Sequence, residues 1–324
     1  KGTATVLEQL ARDVTGWNAR VVEFFQWLQT SQYMNHLRPS NLATADLRDS
    51  EALERRGTAF NRIAHSVNMR RIETQQGRYN IPNIGLFLWR LDAFAVRRAP
   101  AFPVDDQRFL FSPLGNNQPL FTRPQSETDI THLAEPLNVP EPISRRVLHK
   151  YLAQYYGPQL SLFVEADNLD TSVGQVHVCN LSDDGATWAH LPVSRLSIDP
   201  VLGRIAVPPG TPPVNLRVTY HYGFSMPTGG GSYERGKTFA LGGGFAAVTQ
   251  GQSLQTELAA SQAGGIVQIG DSGRYAETLS LNLPAAAKVE VRAANEHRPA
   301  LVLTGDWTIT LAPGAELTLN GLLI

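Results

Sequence analysis

GIVQIGDSGRYAETLSLNLPAAAKVEVRAANEHRPALVLTGDWTITLAPGAELTLNGLLI, residues 265–324, is the stretch whose reading decides the fold. Short apolar strands recur along it at 266–269, 279–283, 289–293, 301–303, 307–311 and 317–324. The spacing is regular: 23 positions from Ile266 to Val289, 22 from Leu279 to Leu301, 20 from Val289 to Ile309 and 21 from Leu301 to Leu322. Within each strand apolar residues alternate with small or polar ones, so one face points to a common core. Turn residues punctuate the runs at Asp271-Ser272-Gly273, Thr304-Gly305-Asp306 and Pro313-Gly314. Such units cannot bury their faces singly, so the spacing predicts the start of a right-handed parallel β-helix. An antiparallel meander of similar strand length is the competing reading. Leu254 to Ala260 reads as a short helix placed to cap the first coil, whose strand edges would otherwise stand bare. The end at Leu322-Leu323-Ile324 carries no comparable cap.

Working outward, 160–224 alternates with strand period and carries turns at Asp183-Asp184-Gly185, Gly203 and Pro208-Pro209-Gly210. That pattern predicts a compact antiparallel β domain over 159–228. Triple glycines at 229–231 and 242–244 bracket a hinge-like segment before the 245–324 region. Upstream, 77–158 is a Pro-rich connection with a dense apolar run at 79–91 and a short helix at 143–156. At the N-terminus, Val6, Leu7, Leu10, Val14, Trp17, Val21, Phe24, Phe25 and Leu28 fall at three- and four-residue steps. They predict a helix over 5–37, closed by Pro39. A second helix over 50–72, capped at Asp49 or Ser50, completes a helical hairpin in 1–76. The fold class expected is α+β, mainly β.

The 324 residues, 42% hydrophobic and 18% charged, describe a folded chain with an ample core. A net charge of −1 gives no general drive toward nucleic acid, and no stretch approaches the length of a membrane span. The first hundred residues carry 14 Lys or Arg against 9 Asp or Glu, without a nucleic-acid motif. A solvated face or a protein-docking surface accounts for them better. The single Cys179 excludes an internal disulfide and a Cys-rich metal site. It is expected as a buried strand thiol, and His177 two residues away adds only a second ligand. No catalytic residue, cofactor site or metal site is expected. The segment 229–236 lacks the Gly-Lys-Ser/Thr ending of a phosphate loop. Acidic residues of the coils (Asp271, Glu277, Glu290, Glu296, Asp306, Glu316) do not stack at one coil spacing as the pair that glycan cleavage needs. Arg274, Arg292 and Arg298 read as surface cations. Tyr275 and Trp307 are too far apart to form an aromatic row for sugars. The interface candidates are Trp17, Phe24, Phe25 and Trp27, which circle more of a helix than one core stripe requires.

The segments 79–91 (YNIPNIGLFLWRL), 198–205 (IDPVLGRI) and 220–224 (YHYGF) resemble a family of bacterial proteins of phage-tail-like particles and contractile injection systems. The resemblance covers residues 10 to 324. It implies a baseplate- or tail-associated structural protein assembled in the cytoplasm with other particle subunits, and it supplies no site residues. A carbohydrate-binding or polysaccharide-degrading β-helix protein is the alternative, with a glycan as partner.

Overall fold

Helix α1 (Ala4–Thr15) stops where Gly16 turns left-handed, at φ 71°, and returns its N–H to the Arg12 carbonyl. The computed structural model describes residues 2–31, 33–36, 44–74, 76–127, 129, 132–167, 169–210, 212–240 and 242–324. It is mostly β and divides into two units, Lys1–Leu91 with Arg123–Glu141, and Asp92–Thr122 with Pro142–Ile324.

In the first unit the expected helical hairpin gives way to a short helix and a strand pair. Residues after Gly16 form strand β1 (Asn18–Glu23) and a 3-10 turn, Phe24–Trp27. Helix α2 (Ser50–Glu54) is a little over one turn long. The Asp49 side chain caps it by accepting the Ala52 N–H at 3.0 Å, and Gly57 at φ 81° follows soon after its end. The helical spacing of Trp17, Val21, Phe24 and Leu28 fails because Val21 and Val22 satisfy their backbone in an antiparallel pair with β2 (Ile84–Trp89), Val21 opposite Leu86. The expected close at Pro39 lies outside the described residues. Phe87 and Trp89 of β2 pack on a core of Ala59, Phe60, Ala134 and Val139.

The second unit opens with β3 (Asp92–Pro100), β4 (Phe102–Pro103) and β5 (Arg108–Leu110). Helices α3 (Arg145–Lys150) and α4 (Leu152–Tyr155) follow, then β6 (Leu162–Ala166) and β7 (Val176–Val178). A small hairpin, β8 (Asp183–Asp184) and β9 (Thr187–Trp188), precedes β10 (Leu196–Asp199), β11 (Arg204–Ala206) and β12 (Leu216–Phe224). One sheet has the order β3-β12-β6, all antiparallel, and another β4-β5-β11-β10-β7. The expected antiparallel pairing holds except at β7, which runs parallel to β10 with His177 opposite Ser197. The buried carboxylate of Asp199 pins this sheet. It takes a two-armed bond from Arg145 (2.9 and 2.8 Å) and N–H bonds from Leu181, Val201 and Leu202. Arg204, also buried, lies 4.5 Å over the Trp188 ring and donates to the Leu181 carbonyl.

The remainder is a stack of parallel ladders. Strand β13 (Phe245–Val248) leads through helix α5 (Leu254–Ala260) to β14 (Gly265–Ile269), β15 (Arg274–Glu277) and β16 (Ser280–Leu283). The next turn of chain repeats the path as β17 (Lys288–Ala293), β18 (Ala300–Leu303) and β19 (Thr308–Leu311), and β20 (Glu316–Asn320) begins another. Ladders β13-β14-β17-β20, β15-β18 and β16-β19 are parallel throughout. The register pairs Gly265 with Val289 and Lys288 with Glu316, so one turn consumes 24 and then 28 residues. The 266-to-289 spacing read from sequence was thus one residue short. The 279-to-301 and 289-to-309 spacings join strands of different ladders, because β15 has Tyr275 as its one large apolar residue, while 301-to-322 falls two residues short of the step by which Ala300 of β18 pairs with Leu323. Leu254, Leu258, Val267, Ile269, Leu279, Leu281, Leu283 and Val291 form the buried core of the stack. Each contributes about 1.5–3 kcal/mol by leaving water.

Helix α5 closes the first end of this stack by direct hydrogen bonding. The Gln255 amide accepts the Ser280 N–H at 2.7 Å and donates to the Ser280 carbonyl at 3.0 Å, as a neighbouring strand would. In return Glu277 accepts from the Leu254 and Gln255 N–H groups and the Ser253 hydroxyl, capping the helix. Burial alone would raise the Glu277 pKa, but these bonds outweigh it and hold the carboxyl below its ordinary range.

Candidate functional site

Helix α1 is built with its polar side inward. Glu8 is 0% exposed, and its carboxylate bridges two chain segments by accepting the Val21 N–H and the Ala134 N–H, each at 2.8 Å. Arg12 stands 3.6 Å from the same carboxylate and pairs with Glu127 as well. Small Ala11 shares this buried side. Val6, Leu10 and Val14, at four-residue steps and therefore on one helix face, are 52, 55 and 76% exposed. An amphipathic helix ordinarily turns its apolar stripe to the core, and α1 turns it to solvent. Phe25, Ile84 and Leu86 add further exposed apolar surface on this unit.

The four aromatic candidates do not circle a helix. Trp17 sits in the turn between α1 and β1, half-buried, with the Arg90 guanidinium 5.3 Å from its ring centroid. Phe24 is buried, edge-on to Tyr79 at 5.2 Å and pressed on Gly85, where an added Cβ would meet Phe24 Cζ at 2.6 Å. Trp27 is half-buried, and its carbonyl accepts the His65 N–H. Of the four, Phe25 is the one exposed to solvent. The better surface, Val6-Leu10-Val14, enters the sequence reading only as part of a helical period. Periodicity finds a stripe but does not say which way it faces. The polar signal was Glu8, one turn apart from Arg12 on the opposite side.

Several arginines of the N-terminal region enter the packing of its unit, while Arg48, Arg56, Arg70 and Arg71 are exposed. Arg20 donates to the Ala59 and Ala134 carbonyls, and both Arg20 and Arg55 lie over the Phe60 ring, at 5.1 and 5.8 Å. Arg55 and Arg62 also pair with the buried Glu51.

On the ladders, five of the six acidic residues serve structure. Asp271 accepts from the Tyr275 hydroxyl at 2.9 Å and from the Gly273 and Gln250 N–H groups. Glu277 caps α5, Glu290 pairs with Arg292 at 3.2 Å, Glu296 with Arg97 at 2.7 Å, and Glu316 with Lys288 at 3.0 Å. Asp306 is exposed and has no partner among the described residues. Arg274, Arg292 and Arg298, expected as surface cations, lie against the rings of Phe102, Phe239 and Tyr222. Tyr275 is buried and Trp307 packs on the same core, so neither presents a ring for stacking. The 229–236 segment is tied down: Arg235 donates to the His297 carbonyl at 2.7 Å and Arg298 to the Gly230 carbonyl at 3.1 Å.

Cys179 lies just beyond β7, half-buried, its thiol pKa pushed up by burial. Its Sγ faces the His190 carbonyl at 3.8 Å. Among the described residues no group of three or more His, Cys, Asp or Glu side chains is arranged to hold a metal ion, and no helix is long and apolar enough to cross a membrane. The chain matches no family model, no curated protein and no solved structure.

Proposed function

We propose that this chain is a structural, baseplate- or tail-associated component of a phage-tail-like particle. It docks to neighbouring subunits through its first unit and carries the first coils of a right-handed parallel β-helix as a projecting rod. The observation that carries the reading is the outward apolar stripe Val6-Leu10-Val14 on a helix whose opposite side is anchored by the buried Glu8. Apolar surface arranged this way gains free energy only when a partner covers it. The rod is supported by the three parallel ladders and by the end-on bonds of Gln255 to β16. The use of five coil carboxylates in hydrogen bonds and ion pairs weighs against the polysaccharide-degrading alternative, whose acid-base pair needs free carboxyls.

The test is Leu10→Asp combined with Val14→Asp in cells that assemble the particle. Both positions are exposed, so the isolated chain keeps its circular dichroism, with a stability change of about 0.5 kcal/mol or less. Wild-type chain sediments with the particles and the variant stays in the soluble fraction. Equal incorporation of the variant would remove the docking face from the account.

A further inference from the structure

A cleft of about 320 Å³ opens beside the edge strand β7, at the small end of the range for ligand sites. His177, His190, Ser194 and Arg195 supply its polar lining, with Leu191 and Pro192 between them, and no carboxylate faces it. The parallel register sets His177 and Ser197 side by side on one sheet face. The loop 190–195 supplies the other wall, entered through His190 in a left-handed conformation at φ 55°, the kind of backbone outlier that gathers at ligand sites.

The hydrogen-bonding capacity of these groups is specific. Arg195 is exposed and has no hydrogen-bond or ion-pair partner among the described residues, so a permanent cation is left open. His190 Nδ1 lies 2.9 Å from the Asn180 carbonyl oxygen, which only accepts. Nδ1 therefore carries the proton, and Nε2 of the neutral ring is left as an acceptor. Ser194 and His177 add groups able to donate. An anion without a hydroxyl, such as acetate, satisfies Arg195 but offers nothing to His190 Nε2. A ligand with one carboxylate and several hydroxyls satisfies both.

We propose that this cleft binds an acidic saccharide unit, its carboxylate against Arg195 and a ring hydroxyl donating to His190 Nε2. The site is independent of the docking face and stands whether or not the particle reading does.

The probe is glucuronate, titrated into the full-length protein while the ring signals of His177 and His190 are followed by NMR. Glucose and acetate serve as controls that lack the carboxylate or the hydroxyls. Expected is saturable movement of both rings with a millimolar dissociation constant, and binding about tenfold or more weaker for either control. Arg195→Gln, at an exposed and unpartnered position, keeps the fold and weakens glucuronate binding by a similar factor. His190→Phe, which removes the acceptor, brings glucuronate down to the level of acetate. Unmoved ring signals, an Arg195→Gln protein that binds as well as wild type, or acetate binding as tightly as glucuronate would each overturn the proposal.

Discussion

Replacing Asp199 with alanine removes the acceptor of five hydrogen bonds from a site with no solvent access. The N–H groups of Leu181, Val201 and Leu202 lose their partner, and so does the Arg145 guanidinium. Breaking one side of a buried charged pair costs about 3–5 kcal/mol. Against a total stability of about 5–15 kcal/mol for a domain, that is a large share. Arg145→Ala makes the contrast. The Arg145 side chain is one-third exposed, and without it Asp199 keeps its three backbone donors and gains room for water. The loss there is about 1.5–3 kcal/mol, the net worth of hydrogen bonds to a charged group. Asp199→Asn falls between the two, because one amide oxygen survives while the new NH2 confronts donors. The assay is urea denaturation followed by tryptophan fluorescence, with Trp188 in the packing behind this sheet as reporter. The slope against urea should stay constant while the midpoint falls. An Asp199→Ala protein within about 1 kcal/mol of wild type, the range of ordinary substitutions, would refute the reasoning. So would an Arg145→Ala protein less stable than Asp199→Ala.

Glu277→Gln weakens the N-terminal cap of α5 and costs about 1 kcal/mol at neutral pH. Because the folded-state pKa of Glu277 is depressed, its contribution is complete above the ordinary glutamate range and is lost as pH falls through the depressed value. The gap between wild type and variant in urea therefore closes in acid, and a gap that widens instead would contradict the cap. His65 stacks on Tyr79 at 3.6 Å, and its Nε2 accepts from the Asn61 amide at 3.0 Å. Burial first, and Arg56 second, hold its pKa down, so the folded state favours the neutral ring and loses stability as pH drops below the ordinary histidine value. An NMR titration should place its midpoint below about 6.5, and a midpoint above that value would refute the packing described.

The ladders were the most legible part of the sequence, since alternation at 289–293 or 280–283 has one physical reading once a core is assumed. Their connectivity was not legible. Tyr275 gives β15 only one large apolar residue, so the spacing does not decide between two and three strands per turn of chain. The N-terminal misreading has a different cause. Val21, Phe24 and Leu28 fit a helix by spacing, but strand pairing with 84–89 competes for the same backbone groups, and a left-handed Gly16 decides for the strand. The orientation of α1 was hidden for a third reason. Its direction depends on Glu8 reaching the Val21 and Ala134 N–H groups, bonds that join residues up to 126 positions apart. The cleft beside β7 likewise needs the His177–Ser197 register and the loop at His190, neither of which sequence spacing expresses.

The most direct test of the central claim is imaging and mass spectrometry of sedimented particles from cells that produce this chain. The structural account predicts the chain in fixed stoichiometry with the tail or baseplate proteins, its rod visible as a projection that disappears when the gene is deleted. A chain found free in the supernatant, with the particles unchanged in its absence and a polysaccharide losing viscosity in its presence, would contradict it.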